Sequence, residues 1–242
     1  LMRFSLGDHQ GWLDGGTVRL VFKLTNTNVT GSLQPIVDSP ASLFRRLRII
    51  ANGSAVIEDI EEYSRVVELF SALLPSQRRY NNITETWGGA FIASGLDSPV
   101  HPDPIEADSE RTVVVHLMSS LLGQGKLLPL SMLPVILELE LGELNDCFAG
   151  GDNQWEISRP RLLADVVQIE QSLQNSYASH MLSGRSLPLN MIAMYSVTSS
   201  VPSGSSLYSF PIARGSTRLN TLYLSFRDGH GKYVNFFNTT RE

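Results

Sequence analysis

Asn52-Gly53 sits between two short runs of alternating apolar residues, and that arrangement most restricts how this chain can fold. A tight hairpin of type I′ needs positive φ at both central residues, and Asn-Gly supplies it at least cost. The run Arg46 to Ile49 alternates basic and apolar residues, as a strand with one wet face does. Ala55 and Ile57 are read as resuming that alternation on the return strand. Asp59, three residues before Glu62, has the spacing of a capping box and predicts a helix start. Tyr63, Val67, Phe70 and Leu74 then recur at helical spacing as one buried stripe. Glu61 and Arg65 are placed to pair across a turn, and Pro75 ends the helix. The pattern predicts one amphipathic helix, about residues 60–74, inserted into a β domain.

Other strands read out in the same way. Val18, Leu20, Phe22 and Leu24 share one face, with Arg19, Lys23 and Thr25 on the other. Val113, Val115 and Leu117 line one side of a strand from Arg111 to Met118. Val135, Leu137, Leu139 and Leu141 point inward, leaving Glu138 and Glu140 outside. Arg161 to Ile169 is apolar on both faces, the mark of a strand covered on both sides. Leu173, Tyr177 and Met181 predict a short helix over about 171–183, with Gly184 as its stop. Alternation returns from Leu187 to Val197, and again from Arg218 to Phe226 after Phe210-Pro211-Ile212. Asp228-Gly229 is a second hairpin signal. Many short strands joined by Pro- and Gly-rich loops predict an all-β, antiparallel jelly-roll sandwich. After Gly184 only about three or four strands can be drawn, too few for a second sandwich. The second unit is therefore expected to be truncated or to borrow strands from another chain.

Composition narrows the function classes. Of 242 residues, 42% are hydrophobic and 18% charged, against an ordinary charged share of about 25%. That deficit suggests a surface covered by neighbours. The formal net charge of −5 argues against a general nucleic-acid binder. No apolar run is long enough for a membrane span, and the N-terminal residues lack a signal-peptide pattern. The single cysteine, Cys147, excludes an intrachain disulfide and the common zinc signatures.

No catalytic motif emerges. His9, His101, His116, His180 and His230 lack metal-ligand spacing, and neither a nucleophile elbow nor a phosphate loop is present. Asp97, Asp103, Glu106, Asp108 and Glu110 crowd one stretch, where a solvated acidic loop outweighs a cation site. Arg45, Arg46 and Arg48 form one basic cluster and Arg78-Arg79 another; contact with acidic neighbours or a phosphate backbone is one account of them, and a wet sheet face or ion pairs with a neighbouring subunit serves at least as well. Asn28, Asn52, Asn82 and Asn238 head glycosylation-type triplets, which also arise by chance in Asn- and Thr-rich β chains. The reading is a non-enzyme with no cofactor and no metal. A carbohydrate-binding β-sandwich using Trp87 or Trp155 as an aromatic platform is the alternative. A cupin-like enzyme would need a His and carboxylate cluster that the spacing does not supply.

The stretch LFRRLRIIANGSAVIEDIEEYSRVVELF, following WLDGGTVRLVFKLTN, resembles the first jelly roll of double jelly-roll major capsid proteins, with the nearest likeness to those of Polinton-like viruses. RPRLLADVVQIEQSLQNSYASHMLSGRSLPL resembles the last strand of that roll and the helical crossover to the second. STRLNTLYLSFRD resembles an early strand pair of the second roll. The resemblance implies a first roll over 1–170, a crossover over 171–184 and the start of a second, incomplete roll over 185–242. It implies a structural virion protein that forms homotrimeric, pseudo-hexagonal capsomers in an icosahedral shell around DNA. Its partners would be itself, neighbouring capsomers and penton or minor capsid proteins, with no specific nucleic-acid binding. On that view residues 77–110 and 121–134 carry intersubunit contacts, with Arg78, Arg79, Trp87, Phe91, Leu121, Leu122 and Leu128 as the candidate residues.

Overall fold

The computed structural model describes residues 1–7, 11–35, 39–72, 87, 104–144, 147–149, 153–212, 215 and 218–224. The alternating stretches become strands: β1 (Met2–Ser5), β2 (Trp12–Leu13), β3 (Arg19–Asn26), β4 (Gln34–Pro35), β5 (Phe44–Ala51) and β6 (Ala55–Glu61). Helix α1 (Tyr63–Ala72) follows. Then come β7 (Glu110–His116), β8 (Leu128–Pro129), β9 (Val135–Leu141), β10 (Phe148–Ala149), β11 (Trp155–Leu163), β12 (Val166–Val167) and helix α2 (Gln171–Leu182).

Two sheets form the sandwich, in the orders β1-β9-β5-β6 and β11-β3-β7. Two small sheets, β12-β2-β8 and β10-β4, close its ends. Every pairing between named strands is antiparallel. The chain changes layer as it goes: β3 lies in one sheet, β5 and β6 in the other, β7 back in the first, β9 across again and β11 back once more. This is an all-β jelly-roll sandwich. Leu20 and Phe22 of β3 stand opposite Val115 and Val113 of β7, and with Leu24 they meet Leu47, Ile49, Leu137 and Leu139 in one core. The Phe22 ring meets the Phe44 ring edge-on at 6.0 Å, joining the layers. Burying these side chains, at about 1.5–3 kcal/mol each, is what holds the two sheets together.

The hairpin forms where the sequence places it. Asn52 and Gly53 have φ of 48° and 78°, and the Ser54 amide closes the turn on the Ala51 carbonyl at 3.3 Å. The return strand differs from expectation. A bulge shifts the register between Ile49 and Ile50, so Glu58 and Ile60 face inward while Ala55 is exposed. Asp59 is not a helix cap, because it remains in β6 and pairs with Arg46. The chain instead enters α1 through Glu62 at φ 50°, whose carbonyl accepts from the Arg65 and Val66 amides. Glu61 ends β6 and lies 3.5 Å from Arg46, so the expected turn-to-turn pair with Arg65 is replaced by a cross-strand one. Tyr63 and Val67 are buried and Phe70 is half-buried; Leu74 lies outside the described residues.

Three further expectations change. Glu138, read as outward, is buried between Arg3 of β1 and Arg48 of β5, which stand opposite it in register. The stretch 161–169 is not covered on both faces: Leu163, Val166 and Val167 are exposed. Beyond α2, the alternating runs 187–197 and 218–224 form no strand among the described residues; Tyr195 alone makes a bridge. Alternation permits a strand, but pairing with a neighbour makes one. Helix α2 forms as predicted, with Gly184 at φ 79° and its amide on the Met181 carbonyl at 3.0 Å.

Candidate functional site

The residues proposed for subunit contact divide sharply. Trp87, Leu121, Leu122 and Leu128 are 0%, 0%, 3% and 1% exposed within the chain's own core. Their assignment as intersubunit contacts is corrected: a side chain with no exposed area offers a neighbour nothing to bury. Trp87 packs against Phe148 at 6.3 Å, and Phe148 against Trp155 at 6.1 Å. Arg111 donates to the Trp87 carbonyl at 2.6 Å, fixing that residue over β7. Leu128 pairs with Leu13, drawing the 121–134 segment over its own sandwich end. Arg78, Arg79 and Phe91 lie outside the described residues. With Trp87 fully buried and Trp155 at 8%, neither forms the aromatic platform for a sugar that the carbohydrate-binding alternative named.

Two of the three arginines of the basic cluster on β5 pair locally. Arg46 grips Asp59 with two parallel bonds of 2.7 Å, a fork-on-fork geometry that fixes both side chains. That hydrogen bond raises the Arg46 pKa further, outweighing the effect of partial burial. Arg48 meets Glu138 at 2.7 Å, and Arg3 approaches the same carboxylate at 3.5 Å. Arg45 is exposed. Lys23 pairs with Glu110 across β3 and β7. Two alternating charges on facing strands thus knit each sheet's outer side.

Two buried polar residues escape any reading of local pattern. Glu58 is buried, and its carboxylate accepts from the Ser119 hydroxyl at 2.6 Å, the Ser120 amide at 2.8 Å and the Leu121 amide at 3.4 Å. It holds the loop after β7 against β6. Asn26, also buried, donates to the Gly31, Ile105 and Glu106 carbonyls and accepts from the Asn28 amide. Both side chains tie loops to the strands that carry them. Among the described residues no group of three His, Cys, Asp or Glu side chains could hold a metal ion. Of the acidic stretch, Asp97 and Asp103 lie outside the described residues, as do His9, His101 and His230. Cys147 is buried with its Sγ 3.1 Å from the Ser42 carbonyl. No described helix is long and apolar enough to cross a membrane.

What stands out on the surface is apolar. It runs from the end of β11 through β12 and α2 into the segment beyond. Leu163, Val166, Val167, Leu173, Ile192 and Leu207 are all exposed. Helix α2 buries none of its side chains; its Tyr177 ring lies 4.9 Å from Trp12. A lone chain rarely leaves this many large apolar side chains to water in one stretch of sequence, and extensive apolar exposure marks association. The signal for it was visible in the sequence as alternation without enough strands to pair.

No family model matches the chain, and no curated protein matches it. Among solved structures the chain is similar to one described as "Crystal structure of PBCV-1 VP54 fitted into a cryo-EM reconstruction of the virophage Sputnik", at a TM-score of 0.42 and 14% sequence identity, covering 73% of this chain and 40% of that one.

Proposed function

We propose that the chain is a structural virion protein, a major capsid protein that trimerises into pseudo-hexagonal capsomers of an icosahedral shell around DNA. The carrying observation is the exposed apolar surface from Leu163 to Leu224, attached to a two-layered sandwich whose own core is complete. Covering it against copies of the same chain removes apolar area from water at about 25 cal/mol per Å². Closed symmetry covers it on every copy at once. The sequence resemblance to the first roll and crossover of double jelly-roll capsid proteins supports the same reading. In this reading residues 1–170 are the first roll, 171–184 the crossover and 185–242 the opening of a second. Arg78, Arg79 and Phe91 remain candidates for contact with a neighbouring subunit. Further partners are adjacent capsomers and penton or minor capsid proteins, and the location is the capsid shell.

Sedimentation of the purified chain tests this. A trimer, with hexagonal particles in electron micrographs, is the expected result. A well-folded monomer that stays monomeric as concentration rises overturns the proposal.

A further inference from the structure

Strand β6 ends the order β1-β9-β5-β6, so one line of its backbone N–H and C=O groups faces away from the sheet. Such an edge pairs with extended chain unless something covers it. Here a segment of the same chain lies along it. Tyr195 forms a parallel bridge with Asp59, and the Ser196 hydroxyl donates to the Glu61 carbonyl. Met191 and Met194 pack against the core. Lys126 Nζ reaches the Pro188 carbonyl at 3.4 Å, and farther along the Tyr223 ring meets Phe70 of α1 at 5.3 Å. The segment therefore tracks one flank of the sandwich without becoming a strand. Ile192 and Tyr195 remain exposed beside the bridge.

We propose that the outer edge of β6 is a binding site for an extended apolar peptide running parallel to it, and that the chain's own Leu189–Val197 is its resident occupant. The recognition is that of strand addition: backbone pairing supplies affinity, and side chains at set positions supply specificity. Methionine suits the anchoring positions because its unbranched thioether adapts to irregular gaps. The resident segment meets β6 through an isolated bridge and forms no strand there, which leaves it open to displacement by a competing peptide. A peptide in solution then competes in proportion to the fraction of open sites. This site stands whether or not the chain builds a shell.

The test uses the full chain with Asp59→Cys and a synthetic peptide of residues 189–197 carrying Tyr195→Cys. Cys147 is buried, so the introduced thiols are the accessible ones. Adding Met194→Asp to the full chain loosens the resident segment and raises disulfide capture of the peptide about tenfold. Ser196→Ala raises it less, and carries the comparison should Met194→Asp fail to fold. Without peptide, the double variant Asp59→Cys/Tyr195→Cys closes a disulfide within one chain. Three results each overturn the proposal: equal capture of a scrambled peptide, no disulfide within the double variant, or folded loosened variants that capture no more than the parent.

Discussion

The Ser119 hydroxyl donates to the Glu58 carboxylate at 2.6 Å across 61 residues of chain, inside the core. The bond fastens the loop that leaves β7 to the inward face of β6. Two amides of the same loop, Ser120 and Leu121, share that carboxylate. Charge-assisted bonds of this kind are roughly twice as strong as neutral ones, and their loss strands buried donors.

Glu58→Gln puts an amide donor where amides already donate. It is expected to lower stability by about 1–3 kcal/mol, read from urea unfolding. Ser119→Ala removes two bonds, the one donated to Glu58 and the one accepted from the Leu122 amide at 3.3 Å, and costs about 1–3 kcal/mol. The two changes are non-additive in a double-mutant cycle because the two side chains bond each other. Additive costs would show that the bond is not a working contact.

Two glycines separate crowding from conformation. A Cβ on Gly15 would stand 2.4 Å from the Leu122 carbonyl oxygen, where backbone must give way. Gly15→Ala is expected to cost about 2–3 kcal/mol by overpacking. A Cβ on Gly53 meets nothing within 4 Å, but its φ is +78°. Gly53→Ala is expected to cost about 1 kcal/mol, the penalty for a side chain in the left-handed region. Thermal or urea unfolding of the two variants orders them; a larger loss at Gly53 contradicts the close approach.

His116 supplies a pH dependence. Partial withdrawal from water, then the Arg19 guanidinium opposite it in register, lowers its pKa below the ordinary 6.5. The unfolded chain therefore binds the proton more readily, and stability falls as pH drops through about 6.5. Above that range the group is neutral in both states and contributes no slope. Because the residue is exposed, the effect is about half a kcal/mol or less. His116→Gln should flatten this part of the profile between about pH 7.5 and about pH 5.5, measured by urea midpoints. An unchanged slope would place the titrating group elsewhere.

Much of the fold follows from local pattern. The alternation of Leu20, Phe22 and Leu24 gave β3, and Asn52-Gly53 gave the hairpin. Leu173, Tyr177 and Met181 gave the span of α2, though all its side chains remain at least partly exposed. The candidate contact residues fared differently. Trp87, Leu121, Leu122 and Leu128 are apolar residues in Pro- and Gly-rich connections, and pattern alone does not tell a loop that reaches out from one that folds back. Ala55 and Ile57 are expected to carry the alternation, yet Glu58 and Ile60 face inward, because a one-residue bulge reverses faces without leaving a mark in composition.

Alone, then, the order of residues determined which stretches extend, which turn and which coil, since those preferences act over a few neighbouring peptide units. Tertiary structure decided which extended stretches found a partner. It buried Glu138 between Arg3 and Arg48, and left 187–197 and 218–224 outside any strand. A strand's hydrogen bonds are made with residues far along the chain, so no local rule can assign them.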